Sequence, residues 1–153
     1  MTQRVDLATM MDRLAIDELV TGYAVAVDDA DWNAYRALFT GDGRADYRSS
    51  GGIEGSAAEV ADWLAETMRV FPVRQHLIVN RRVHIQDLGG YPGDGAELQA
   101  DYVNPMRMES GDDFVSGGRY TFHVLRTDEG WRLNHVLIAE KWRRGTGALA
   151  DSR

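Results

Sequence analysis

The chain has 153 residues, no cysteine, and a formal charge of −7 from 17 Lys and Arg against 24 Asp and Glu. That is the length of one ordinary domain, and a compact chain of this size buries roughly 70% of the surface its unfolded form exposes. The cysteine count excludes a disulfide framework, a Cys-based zinc site and a thiol nucleophile, and the acidic balance argues against a nucleic-acid binder, which needs a basic stripe.

The first twenty residues, MTQRVDLATMMDRLAIDELV, carry acids within their apolar stretch, unlike a signal peptide, and nowhere do ~20 apolar residues follow one another. The expectation is a cytoplasmic protein with no membrane partner. From residue 7 to about 27, apolar residues recur at helical spacing (Met11, Leu14, Leu19, Tyr23 and Ile16, Val20, Val27), which predicts a long amphipathic helix. A second helix is expected after an N-cap at Asp31, turning Trp32, Tyr35, Leu38 and Phe39 toward the core. A third is expected over 56–70, where Ser56 and Glu59 form a capping box and Val60, Trp63, Leu64 and Met68 make the buried stripe.

The period then changes to alternation. Four long strands are expected at about 75–87, 96–109, 114–127 and 130–143, the last two joined by the turn TDEG. Helices followed by hairpin-linked strands give an α+β fold with a curved, mostly antiparallel sheet around one pocket. Short Gly-rich stretches at 49–52 and 87–95 read as turns, and residues 144–153 as a flexible tail to a single domain spanning 1–153. No Gly-rich loop follows a strand and opens a helix, so no nucleotide cofactor is expected. Neither is a metal.

Alternation puts His76, Ile78, Asn80, Arg82 and His84 on one face of the first long strand, and Leu77, Val79, Arg81, Val83 and Ile85 on the other. In the next strand Leu98, Ala100, Tyr102, Asn104, Met106 and Met108 share a face, and in the third Tyr120, Phe122 and Val124 do. Such a wall is more often ordinary core than the lining of a small-molecule site, and its tyrosines shift the balance slightly toward a ligand. The phenols at 23, 47, 102 and 120 each need a hydrogen-bond partner if buried.

Among the histidines, His84 reads as a solvated edge residue, and alternation leaves the faces of His123 and His135 undecided. His76 opens a strand. Asp28 and Asp29 lie together at a helix C-terminus, where the dipole favours cations, so a partner is expected to offset them, and one of the two is a candidate to face a histidine.

The runs YAVAVDDADWNAYRALFTGDGRADYRSS, RQHLIVNRRVHI and EGWRLNHVLIAEKW resemble the nuclear-transport-factor-2-like superfamily in its SnoaL-like branch, which includes scytalone dehydratase, and also hexachlorocyclohexane dehydrochlorinase. The likeness covers about residues 7 to 143. It implies a cone-shaped fold, with three N-terminal helices packed on the sheet, and a cofactor-independent lyase, isomerase or cyclase acting on a cyclic polyketide-like, aromatic or terpenoid molecule.

By the same resemblance His76 is the base that removes a substrate proton and Asp28 orients it, since a carboxylate on one ring nitrogen fixes the tautomer and raises the basicity of the other. Tyr47 matches a tyrosine that holds a water on the substrate carbonyl. Where the dehydratase has its second tyrosine, second histidine and asparagine, this chain has Val27, Tyr102 and Tyr120; where the dehydrochlorinase has its lysine, it has Tyr23. The implied substrate contacts are Tyr23, Trp63, Tyr102, Met106, Tyr120 and Phe122, around a hydrophobic small molecule. The resemblance also implies a homodimer formed through the face of the sheet opposite His76. Two other readings stand beside the enzyme: a non-catalytic ligand-binding or interaction module, and an epoxide hydrolase drawing on Arg44 and Asp46.

Overall fold

The computed structural model describes residues 7–86 and 91–145. In chain order the elements are α1 (Leu7–Asp28), α2 (Trp32–Ala37), β1 (Phe39–Asp46), β2 (Glu54–Ser56), α3 (Ala57–Thr67), β3 (Val73–Arg74), β4 (Leu77–Gln86), β5 (Gly95–Arg107), β6 (Asp113–Thr127) and β7 (Gly130–Arg144). The four long strands and three helices stand where periodicity puts them. The tail from residue 146 onward lies outside the described residues.

Three short strands were not anticipated. Phe39 opens β1 rather than closing α2, and the third helix stops at Thr67, with a 3-10 turn over Met68–Val70. Both expected caps form: Asp31 accepts from Ala34 N–H at 3.0 Å, and Ser56 Oγ accepts from Glu59 N–H at 3.2 Å while Glu59 reaches back to Ser56 N–H.

The strands make one sheet in the order β2-β1-β7-β6-β5-β3, with β4 also paired to β5. Among the described residues only β1 and β7 run parallel. Bulges interrupt the register between Val79 and Arg82, Gly117 and Gly118, and His123 and Val124. Each bulge sharpens the local bend, so the sheet wraps the helices instead of lying flat beneath them. The inner face contributes Leu98, Tyr120, Phe122, Leu133 and Val136 to a core completed by Ile16, Val20, Tyr23 and Val27 of α1 and Val60 and Leu64 of α3. Burial of each large aliphatic or aromatic side chain is worth roughly 1.5–3 kcal/mol. Among the described residues no helix is long and apolar enough to cross a membrane.

The bulge in β4 overturns the expected face assignment. His76 and Ile78 face inward, but Asn80 adopts a left-handed conformation (φ 52°), and beyond it Arg81, Val83 and Ile85 turn in while Arg82 and His84 face solvent. Asn tolerates this conformation better than a β-branched residue would. The switch lets Arg81 reach α1, donating to Asp17 Oδ1 at 2.9 Å and Thr21 Oγ1 at 2.8 Å. Met11 and Leu14 also depart from expectation: they are exposed. This end of α1 is fastened to the sheet by Asp12, which accepts two hydrogen bonds from Arg126, at 3.0 and 2.8 Å, and one from the Trp131 indole at 3.1 Å.

Candidate active site

The end of α1 meets the break between β3 and β4, and there Asp28 and His76 come together. His76 Nδ1 lies 2.6 Å from Asp28 Oδ1, and the main-chain N–H of His76 lies 3.0 Å from both oxygens of the same carboxylate. With Nδ1–H donated to Asp28, the Nε2 lone pair is left free. The two N–H groups also answer the unfavourable position of an acid at a helix C-terminus, and Arg74 assists by donating to Val27 C=O at 3.1 Å and Phe71 C=O at 2.8 Å. Asp29 is exposed, so Asp28 is the acid of the pair that faces the histidine.

His76 stands in the wall of a small, partly open chamber beneath α3, with 50 Å³ of free room. Of the residues expected at the site, Tyr23, Tyr47, Trp63, Met106 and Tyr120 line this chamber with it. Tyr102 and Phe122 stand behind the wall. The Tyr102 hydroxyl contacts Ser116 Oγ at 3.2 Å, and Phe122 is fully buried against the rings of Tyr120 and Tyr23. Tyr102 is thereby occupied by a protein partner and Phe122 by packing.

The phenol hydroxyls form a chain. Tyr35 bonds Tyr47 at 2.9 Å, Tyr47 bonds Tyr23, and the Tyr120 ring meets Tyr23 edge to face, with centroids 5.6 Å apart. Burial pushes the Tyr23, Tyr35 and Tyr47 phenols well above the usual range. It takes Tyr120 up to about 12. All four therefore stay protonated through neutral pH and act as donors.

Asn104, Ser116, Ser50 and Glu140 also line the chamber and were not singled out from sequence. Asn104 had a signal: a lone amide among Tyr102 and Met106 on a buried strand face needs a polar partner. Ser116 donates to Glu140 at 2.7 Å, and Glu140 is held by Arg143 at 2.8 Å. These links depend on register across β5, β6 and β7.

Arg44 and Asp46, the epoxide-hydrolase candidates, do not assemble. Arg44 pairs with Glu54 at 2.8 Å on the outer face, and Asp46 takes a forked hydrogen bond from Arg48. Neither lines the chamber. A larger depression of 640 Å³ lies on the outer face of the sheet, among Arg44, His84, Glu97, His123 and His135. Volume does not pick out the reactive site; what distinguishes the smaller chamber is the Asp28–His76 contact in its wall. The larger depression holds His123 and His135, stacked at 5.9 Å on the outer face. Among the described residues no group of three or more His, Asp or Glu is positioned to hold a metal ion.

A curved sheet wrapped on helices, with a carboxylate-held histidine in the wall of an apolar chamber, defines a cone-shaped pocket protein. The chain belongs to the SnoaL-like domain family, which it matches over residues 8–136. It is 32% identical over 130 residues to an uncharacterized protein of Mycobacterium tuberculosis, covering 83% of this chain and 84% of that one. A solved structure from Novosphingobium aromaticivorans, provisionally named an aromatic ring hydroxylase, is similar at 27% identity with a TM-score of 0.78, over 94% of this chain and 98% of that one. The hexachlorocyclohexane dehydrochlorinase of Novosphingobium barchaimii shares the fold at 16% identity with a TM-score of 0.79, over 94% and 96% of the two chains.

Proposed function

We propose that this protein is a cofactor-independent lyase, isomerase or cyclase in which His76 removes a proton beside a carbonyl. Asp28 holds the imidazole with Nε2 toward the chamber, and the phenols steady the oxygen as it gains charge. One observation carries the reading: the 2.6 Å contact of His76 Nδ1 with Asp28, made in the wall of a small, mostly apolar chamber. This is the base and orienter of a triad without its nucleophile, suited to proton abstraction rather than acyl transfer.

The substrate class is a small cyclic molecule of polyketide-like, aromatic or terpenoid character. A room of 50 Å³ holds only a few waters at roughly 10–15 Å³ each, well below the ~300–1,000 Å³ of common ligand pockets. A single ring is therefore favoured over fused rings, and Trp63 and Met68 must give way to admit it. The same small volume favours the second reading, a non-catalytic module binding a compact ligand.

A test without a known substrate is deuterium wash-in: cyclic ketones are incubated with the protein in heavy water and examined by mass spectrometry. Exchange beside the carbonyl, falling by about 10²–10⁴ in His76→Ala, is expected of a general base. Equal exchange in the two proteins would overturn the reading. The protein is further proposed to pair through the outer face of its sheet, where Leu77, Val79, Val103, Leu137 and Trp142 are exposed.

A further inference from the structure

Four polar residues of the chamber wall, His76, Asn104, Ser116 and Glu140, follow one line across the sheet. Arg74 pairs with Met106, Leu77 pairs with Val103, and Gln75 N–H donates to Pro105 C=O at 3.0 Å, so His76 lies directly opposite Asn104. Asn104 pairs in turn with Ser116 on β6, and Ser116 with Arg143 on β7, which holds Glu140. Directly opposed residues on neighbouring strands have Cβ atoms roughly 4.5–5.5 Å apart, so a ligand that touches one member of the line reaches the next.

Both ends of the line are anchored. At one end Asp28 holds His76. At the other, Glu140 accepts from Arg143 Nε at 2.8 Å and Nη2 at 3.0 Å, and from Ser116 Oγ at 2.7 Å. A carboxylate has no hydrogen to give, so the Ser116 hydrogen is spent on Glu140. The 3.2 Å contact between Ser116 Oγ and the Tyr102 hydroxyl is then donated by Tyr102, whose hydrogen is spent as well. Ser50 gives its own to Tyr47 C=O at 3.0 Å. Neither serine of the chamber has a hydrogen left for a neighbour. Between the two anchored ends, Asn104 Oδ1 is buried with no partner in the protein, on a residue that is only 4% exposed and lines the chamber. An amide oxygen so enclosed is costly unless something brings it a hydrogen.

We propose that Asn104 Oδ1 is the specificity contact of the chamber, accepting a hydrogen bond from a hydroxyl or N–H that the substrate carries close to the carbon whose proton His76 removes. This rests on the reading of His76 as the base, and it narrows the substrate to a carbonyl ring bearing a donor. A ring without the donor displaces solvent from Oδ1 and returns nothing. The discrimination therefore comes from the cost of leaving the acceptor unpaired. Glu140, by taking the Ser116 hydrogen, keeps that acceptor open for the substrate.

The probes are phenol and fluorobenzene, rings of nearly one size that differ in the donor, titrated into the protein by calorimetry. The wild-type protein is expected to bind phenol at least about tenfold more tightly. Asn104→Leu, close in shape, should shrink the ratio to about twofold or less, with fluorobenzene bound more tightly than by the wild-type protein, because no acceptor is left to satisfy. His76→Ala should keep the preference, since the donor goes to Asn104 and not to the imidazole.

Equal affinity for the two rings in the wild-type protein, or failure to bind phenol, would overturn the proposal with no variant needed. So would an undiminished ratio in Asn104→Leu with an unchanged circular dichroism spectrum, or a ratio lost in His76→Ala. Deuterium exchange of cyclic ketones reports on the base separately. A wild-type protein that exchanges deuterium without preferring phenol loses the Asn104 contact and keeps the base; one that prefers phenol and exchanges none loses the base.

Discussion

Asp28 accepts both the ring Nδ1–H and the main-chain N–H of His76, so one carboxylate fixes the tautomer of the imidazole and anchors the start of β4. These two duties predict two separable effects of Asp28→Asn. Proton exchange should fall toward the His76→Ala level, because an amide does not hold the imidazolium that forms. Stability should fall by about 1–3 kcal/mol in urea unfolding, from the loss of charge-assisted hydrogen bonds. Full exchange in a stably folded Asp28→Asn would remove Asp28 from the mechanism.

The Asp12–Arg126 pair predicts how stability responds to acid. Hydrogen bonds from Arg126 hold the Asp12 carboxyl below its usual value. A depressed folded pKa contributes stability that is complete above the unfolded value, about 3.9, and is lost as pH falls through the folded value. Asp12→Asn should therefore lower Tm at pH 7 and narrow the gap to the wild-type protein below pH 4. A gap unchanged by acid would show that Asp12 acts through shape alone.

Ala30 follows α1 with φ 55°, a conformation glycine adopts without strain. Ala30→Gly should stabilise the protein by about 1 kcal/mol, read as a higher midpoint in urea with an unchanged slope. A loss would mean that the Ala30 methyl has a packing role.

Gly52 is where the Trp63 ring comes close. A methyl at that position would stand 2.6 Å from the ring and 2.9 Å from Tyr47 Cβ. Gly52→Ala is expected to displace Trp63 and change the rate of deuterium exchange at least severalfold, with a shift in tryptophan fluorescence. Unchanged emission and exchange would mean that the ring is not part of the chamber mouth.

The outer face predicts the state of association. Leu77 pairs with Val103, Val103 with Gly117, and Gly117 with Trp142, giving an apolar row across four strands that is exposed at Leu77, Val103 and Trp142, with Gly117 buried under the Trp142 ring. If two copies cover this row, sedimentation should give a dimer at micromolar concentration and a monomer for Val103→Glu. A monomeric wild-type protein would end the idea.

Much of this protein is legible in its sequence because the governing rules are local. The helical stripe ending at Val27, the Asp31 cap, the Ser56–Glu59 box and the alternation of β5 and β6 each follow from neighbours a few residues apart. The pairing of Asp28 with His76 was accessible through family likeness, since its motif residues stand in short runs. What tertiary structure decided lies where that locality fails. The β4 bulge cancels the period of two, sending Arg82 and His84 outward and Arg81 to α1, because one unpaired residue moves every later side chain to the other face. Arg44 and Asp46 go to Glu54 and Arg48 rather than to a shared water. The phenol cluster gathers Tyr23 of α1, Tyr35 of α2, Tyr47 at the end of β1 and Tyr120 of β6. Alternation and composition supplied the tyrosines; only the folded sheet brought hydroxyls far apart in sequence onto one another.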